Sequence, residues 1–199
     1  QAEDGIRDAQ ESRVLGDVYK RQAHTYSHKE EHRMQSIQEA MHEFRGQLQN
    51  GALQKAYKAL LDYMLDLRTH FKNQYPNYAV SGLYQGYMDM TYFAILPPPL
   101  KARGLKIAIV FNYDPFRFEA WLSGSNRQIQ REYWGLFKDS RWSNYRVVAP
   151  AKGIYSIVEC NLAQDFDFGD LNHLTEVIEA KTVQFINDME GFIAGHEKT

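Results

Sequence analysis

"LKIAIVFNYDPFRFEAWL" (Leu105–Leu122) decides how this chain folds. In its first half Leu105, Ile107, Ile109 and Phe111 alternate with Lys106, Ala108, Val110 and Asn112, the two-residue period of a half-buried strand. In its second half Phe116, Phe118, Ala120 and Leu122 alternate with Arg117, Glu119 and Trp121. Between them Tyr113-Asp114-Pro115 has room only for a turn. The two runs therefore predict a β-hairpin, with one face apolar and the other carrying Arg117, Glu119, Trp121 and neighbouring Lys106.

Upstream of the hairpin, "YMDMTYFAIL" (Tyr87–Leu96) reads as a third strand from its aromatic and β-branched content. The segment before it, "YPNYAVSGLYQG", is broken by Pro76, Gly82 and Gly86 and reads as a loop. Two amphipathic helices precede that loop. Ile37, Met41, Phe44 and Leu48 recur at helical spacing over residues 35–49, which Asn50-Gly51 terminates. "ALQKAYKALLDYMLDLRTHFKN" then carries Leu53, Tyr57, Leu60, Leu61, Met64, Leu67 and Phe71 as a buried stripe. Downstream, Ser125 or Asn126 caps a helix bearing Ile129, Tyr133, Trp134 and Phe137. "YRVVA" and "IYSIVECNL" supply two more strands, and Asp170 caps a last helix with Leu171, Leu174, Ile178, Phe185, Met189 and Phe192. The predicted order is α-α-β-β-β-α-β-β-α. Short links between adjacent strands predict an α+β domain with a largely antiparallel, five-stranded sheet packed by helices.

Composition narrows the classes of function. Lys+Arg is 23 against Asp+Glu 25, a formal net charge of −2, so no global basic field draws the chain to nucleic acid or an anionic membrane. The longest apolar run, Tyr92–Leu96, stops at Pro97-Pro98-Pro99, far short of a membrane span. The one cysteine, Cys160, excludes an intrachain disulfide framework, and the expected setting is the cytoplasm of a bacterium.

The first 33 residues read differently from the rest. Ile6, Val14, Leu15 and Val18 fit neither helical nor strand spacing. "QAEDGIRD" resembles a translated sequencing adapter, and "SRVLGDVYKRQ" resembles the transposon-end adapter that follows it, with Val14 in place of Gly. Residues 1–22 are accordingly expected to be adapter translation, and residues 23–33 translated upstream DNA with a ribosome-binding sequence under Lys29-Glu30-Glu31. On this expectation the leader 1–33 is disordered and a single domain spans 34–199. His24, His28 and His32 stand at i, i+4 and i+8, a spacing that can hold a metal on a helix, but within such a leader they carry no function. No metal or other cofactor is expected elsewhere: there is no Walker loop, dinucleotide glycine motif, Cys/His cluster or nucleophile elbow.

"QKAYKALLDYMLDLRTHFKNQYP", "YQGYMDMTYF", "KIAIVF", "RFEAWLSG" and "YWGLF" together resemble an uncharacterised bacterial family, domain of unknown function 7000, over Met34–Thr199. That resemblance implies no catalytic residues. A fainter one is to restriction-endonuclease-like folds, whose α-β-β-β-α-β core order matches residues 52–149. In active members a carboxylate on one strand and a Glu-x-Lys on the next hold Mg²⁺ at the scissile phosphate. Here Asp114 falls in the turn, and Trp121 stands where the lysine after Glu119 is required. The broken pattern argues against nuclease activity.

Candidate residues fall into four groups. Tyr84, Gln85, Tyr87 and Tyr92 surround Asp89; alternation puts Tyr87, Asp89, Thr91 and Phe93 on one face, opposite Met88, Met90 and Tyr92. A partly desolvated Asp89 with raised proton affinity can act as a base or recognise a sugar or nucleobase; the structural alternative is a carboxylate that seats its loop through local hydrogen bonds. Arg117, Glu119 and Trp121 can clamp and stack an anion or aromatic ligand, or form an ion pair that shields the sheet. Arg68 and His70 end the second helix, where positive charge complements the helix dipole and His70 is a candidate acid or base. Residues 126–152 hold six basic and two acidic side chains, a candidate nucleic-acid patch beside Trp134 and Trp142.

The expectation that follows is a noncatalytic binding or interaction module for a small molecule or protein partner. The alternative is a small hydrolase or nuclease-like enzyme using Asp89 and Glu119, with His70 as a possible third group. That mechanism requires the two carboxylates to share a pocket.

Overall fold

A computed structural model describes residues 36–140 and 142–196. The leader assigned to 1–33, the start at Met34, the three histidines within that leader, and Arg141 lie outside the described residues. The chain divides into two compact units, Gln1–Tyr57 and Lys58–Thr199.

In the first unit residues 36–50 form helix α1, on which Ile37, Met41 and Phe44 are exposed. Gly51, at φ 72°, ends it and admits the chain to α2 (Ala52–Gln74), which runs on into the second unit.

The second unit is a six-stranded sheet, not a five-stranded one, with the order β1-β2-β3-β4-β6-β5 and every neighbouring pair antiparallel. Its strands are β1 (Ala79–Val80), β2 (Met90–Leu96), β3 (Leu105–Asn112), β4 (Arg117–Gly124), β5 (Arg146–Val147) and β6 (Ser156–Ala163). The added strand is β1, inside the stretch read as a loop. Its two residues pair with Leu96 and Ile95, and two residues are too few to leave an alternation in the sequence. A short helix α3 (Pro98–Ala102) also follows β2; prolines suit a first helical turn, where their missing N–H has no partner to lose. The remaining helices are α4 (Arg127–Asp139) and α5 (Leu171–His196). The restriction-endonuclease-like resemblance gains no support from this topology.

Asn126 is the α4 cap: its side chain accepts from the Gln128 and Ile129 amides. Asp170 caps α5 through the His173 amide at 3.0 Å. The hairpin turn is one residue longer than expected. Asn112 pairs with Arg117, so Phe116 sits in the turn at φ 50°, exposed, with its ring near Phe111 and Phe166.

All the helices of this unit pack on one face of the sheet. The buried residues of α2, α3, α4 and α5 share a single cluster with Phe93, Ile95, Ile107, Ile109, Phe111, Phe118, Ala120 and Leu122. Phe118 meets Tyr63 of α2, Phe111 and Phe166 edge-on. The opposite face has its own small cluster of Ala108, Val110 and Trp121, with Met90 and Tyr92 against them and no helical residue in it. That face is where the candidate residues converge.

Candidate functional site

The open face of the sheet is a groove. Direct cross-strand partners project to the same side, so the register lays out its floor. Met90 and Tyr92 come from β2, Lys106, Ala108 and Val110 from β3, Glu119, Trp121 and Ser123 from β4, and Glu159 from β6. Two cavities of about 300 and 670 Å³ lie along it and share Asp89, Met90 and Trp121. The smaller also takes Tyr84, Tyr92, Lys106, Ser123 and Tyr155; the larger adds Arg117, Glu119, Arg146 and Glu159. Asp89 and Glu119 thus line the same cavity.

Asp89 reaches the groove because the chain is folded tightly just before β2. Tyr84 bridges to Tyr92, their rings 5.1 Å apart, and the chain then doubles back through Gly86 and Met88, both at positive φ. A Cβ on Gly86 would stand 2.2 Å from the Met90 carbonyl oxygen, so only glycine fits. This turn ends the strand at Met90, and Asp89 therefore lies outside the alternation that put it on the Thr91 and Phe93 face. Those two side chains are fully buried on the helix side, and Thr91 Oγ1 donates to the Gln85 carbonyl.

Asp89 Oδ1 accepts from the Tyr87 and Met90 amides at 2.9 and 2.7 Å. These backbone donors hold its carboxyl below the usual carboxylate range, the reverse of the raised affinity expected of it. Tyr87 is 93% exposed and lines neither cavity; Gln85 is exposed too.

Glu119 is 2% exposed and fully engaged. Arg117 Nε donates to Oε1 at 2.5 Å, Trp121 Nε1 to Oε2 at 2.7 Å, and Asn112 Nδ2 to Oε2 at 3.4 Å. The pair runs along one strand rather than across two. A second pair, Arg146 to Glu159 at 3.3 Å, does cross strands. Tyr92 has its phenol pushed up, first by burial and then by Tyr84 and Tyr155 nearby.

Arg68 and His70 are not in the groove. Arg68 Nε donates to the Ser81 carbonyl, tying α2 to the segment after β1. His70 has the carboxylate partner that the sequence did not reveal: its Nε2 is 2.7 Å from Glu179 Oε2 on α5, and Tyr75 donates to the other oxygen at 2.8 Å. Burial opposes ionisation of Glu179, but these two hydrogen bonds prevail and its pKa is lowered. Burial pushes the Cys160 thiol up to about 11, so it is protonated at neutral pH. In the basic segment Arg127 lies over the Tyr155 ring at 5.4 Å and donates to the Ile154 carbonyl, and Lys138 lies over Trp134 at 4.8 Å. With Arg146 on Glu159, three of the five described cations of this segment are engaged within the fold. Among the described residues no group of three His, Cys, Asp or Glu side chains is placed to hold a metal ion, and no helix is long and apolar enough to cross a membrane.

Tyr155, Ser123, Arg146 and Glu159 are groove residues that sequence reasoning did not single out. The available signal was the aromatic Tyr155 just before an apolar strand, and the alternation within β6.

The second unit is thus a two-layer α/β arrangement, with helices on one sheet face and an aromatic, charged groove on the other. The chain belongs to the family described as domain of unknown function (DUF7000), whose model matches residues 37–193. No curated protein and no solved structure matches it.

Proposed function

We propose that this protein is a noncatalytic, cytoplasmic binding module whose site is the open-face groove. One observation carries the reading: Glu119 has both carboxylate oxygens engaged within the protein and Asp89 is held by its own loop amides, while Tyr84, Tyr92 and Tyr155 line an accessible cavity. A general base needs a lone pair directed at its substrate, and a metal needs several free carboxylate oxygens. Glu119 spends both oxygens on Arg117, Trp121 and Asn112, and Asp89 spends one on two backbone amides. Tyr84, Tyr92, Tyr155 and Trp121 offer apolar surface for a ligand, and an aromatic concavity with a few fixed polar groups is the usual form of a small-molecule site.

The hydrolase reading is favoured only by the shared cavity of Asp89 and Glu119. Incubating the full chain with single- and double-stranded DNA and RNA in Mg²⁺ or Mn²⁺ separates the two. The expected result is no cleavage above a protein-free control. Robust cleavage abolished by Asp89→Asn or Glu119→Gln, in variants that melt like the wild type, overturns the proposal.

A further inference from the structure

Resting on the reading of the open face as a binding groove, we infer that its ligand is a nucleoside monophosphate. Its base stacks on the Tyr92 and Tyr84 wall above the Trp121 floor, its phosphate lies on Lys106, and an N–H of the base on Asp89.

The slot comes first. Tyr92 on β2 and Trp121 on β4 flank β3, whose groove-facing residue level with Trp121 is Ala108. Tyr92 is level with Val110 and Trp121 with Ala108, whose own partner on β2 is Ala94, so the rings are offset along the sheet and the two alanines leave room beside Trp121, one step from Tyr92. Such a slot suits one flat ring, and every base has a π-face that stacks on Tyr or Trp. Tyr84, packed on Tyr92, extends the same wall.

The charges come second. Among the described residues Lys106 makes no ion pair or hydrogen bond, whereas Arg117 and Arg146 in the same groove are held by Glu119 and Glu159. Lys106 stands directly across from Ser123, which adds a hydroxyl at that end. A free ammonium beside a hydroxyl is a site for an anion. Asp89 is at the other end. Both amide donors go to Oδ1, which leaves Oδ2 to accept from a ligand.

The spacing decides between ligands that carry both signs. Met90, next to Asp89, pairs with Asn112, six positions along β3 from Lys106, or roughly 20 Å of backbone at about 3.4 Å per residue. The Lys106 and Asp89 side chains both reach into the smaller cavity and shorten that span. An α-amino acid carries its ammonium and carboxylate on one carbon and cannot serve both ends. A neutral sugar leaves Lys106 unpaired. A mononucleotide sets its phosphate and a base donor at opposite ends of the molecule, with the ribose between the phosphate and the flat base. The cavity of about 300 Å³ is at the small end of ligand pockets, about 300–1,000 Å³, which suits one nucleotide rather than two. That nucleotide is either free or the end of a strand.

Isothermal titration of the full chain with 5′-AMP, adenosine, inorganic phosphate, glucose, glycine and a short single-stranded RNA tests this. The expected result is 5′-AMP binding about tenfold tighter than adenosine, the loss of one charge-assisted contact, with no measurable binding of phosphate at the same concentration. Lys106→Met brings 5′-AMP down to the adenosine level and leaves adenosine unchanged, and Tyr92→Ala weakens both. RNA binding tighter than 5′-AMP and equally sensitive to Lys106→Met assigns the site to a strand end; weaker RNA binding assigns it to the free nucleotide. Equal affinities for 5′-AMP and adenosine, indifference of 5′-AMP to Lys106→Met, or no binding of either overturns the inference. If a sugar or amino acid binds instead and Tyr92→Ala abolishes it, the nucleotide falls and the binding groove stands. Cleavage that depends on Asp89 or Glu119 removes the groove reading as well.

Discussion

On the helix side of the sheet, β3 and β4 present Ile107, Ile109, Phe111, Phe118, Ala120 and Leu122, all fully buried by residues of α2, α4 and α5. On the other side the same two strands present Lys106, Ala108, Val110, Glu119, Trp121 and Ser123, and among the described residues no helical one joins the apolar cluster there. Yet Glu119 and Trp121 are only 2% and 9% exposed. The first face is ordered by removing apolar area from water. The second is ordered by hydrogen bonds: the Trp121 indole and the Arg117 guanidinium both donate to Glu119, which fixes the ring as part of the groove floor. One strand pair thus carries two kinds of stabilisation, and they fail differently when perturbed.

Phe118→Ala is expected to be the most damaging change. It removes a fully buried ring from between Tyr63, Phe111 and Phe166, and such truncations cost about 3–5 kcal/mol through lost transfer energy and the cavity left behind. Urea denaturation followed by circular dichroism reads the loss. A cost under about 1 kcal/mol would mean that the helix layer does not hold this face.

Glu119→Ala tests the other face and is expected to cost about 2–4 kcal/mol, because it strands the buried Trp121 N–H and leaves Arg117 without its partner. Trp121→Phe together with Glu119→Leu should recover part of that cost, since an apolar replacement of both partners leaves no unpaired donor on the ring. Near-ultraviolet circular dichroism of Trp121 distinguishes a loosened floor from global unfolding. No change in stability for Glu119→Ala would reduce the open face to an ornament of the fold.

These two faces were not equally legible in the sequence. The hairpin was, because eight residues of β3 and the run from Arg117 keep a strict two-residue alternation; that alternation also placed Glu119 and Trp121 together. Phe116 was misassigned because the alternation continues through a residue that belongs to the turn. Asp89 escaped for the opposite reason: the period breaks at Gly86 and Met88, whose positive φ the letters do not announce for methionine. Arg146 and Glu159 enter the groove through the β5–β6 pairing, and His70 meets Glu179 across 109 positions; neither meeting leaves a local pattern. Local period reports which way a side chain points. It does not report what comes to meet it.

The smallest effect expected is also the one that separates the faces by chemistry alone. Glu179 on the helix side and Asp89 at the groove both have a pKa below their ordinary values, 4.5 and 3.8, but through different donors. Glu179 is held by Tyr75 and His70 from α2, so its ionised form links two helices; Asp89 is held by amides of its own loop. A carboxyl with a depressed folded pKa adds stability above its unfolded pKa and loses it as pH falls through the folded value. Below about pH 4.5 the melting temperature should therefore fall more steeply in the wild type than in Glu179→Gln, which starts about 1–2 kcal/mol less stable at neutral pH. Asp89→Asn should flatten the slope less, since its donors lie within its own loop, which opens more readily than the helix layer, and should also speed amide exchange at Tyr87 and Met90. If Asp89→Asn flattened the acid slope as much as Glu179→Gln, the groove loop would belong to the cooperative core, and the division between a sheet face that holds the fold and one that is free to bind would not stand.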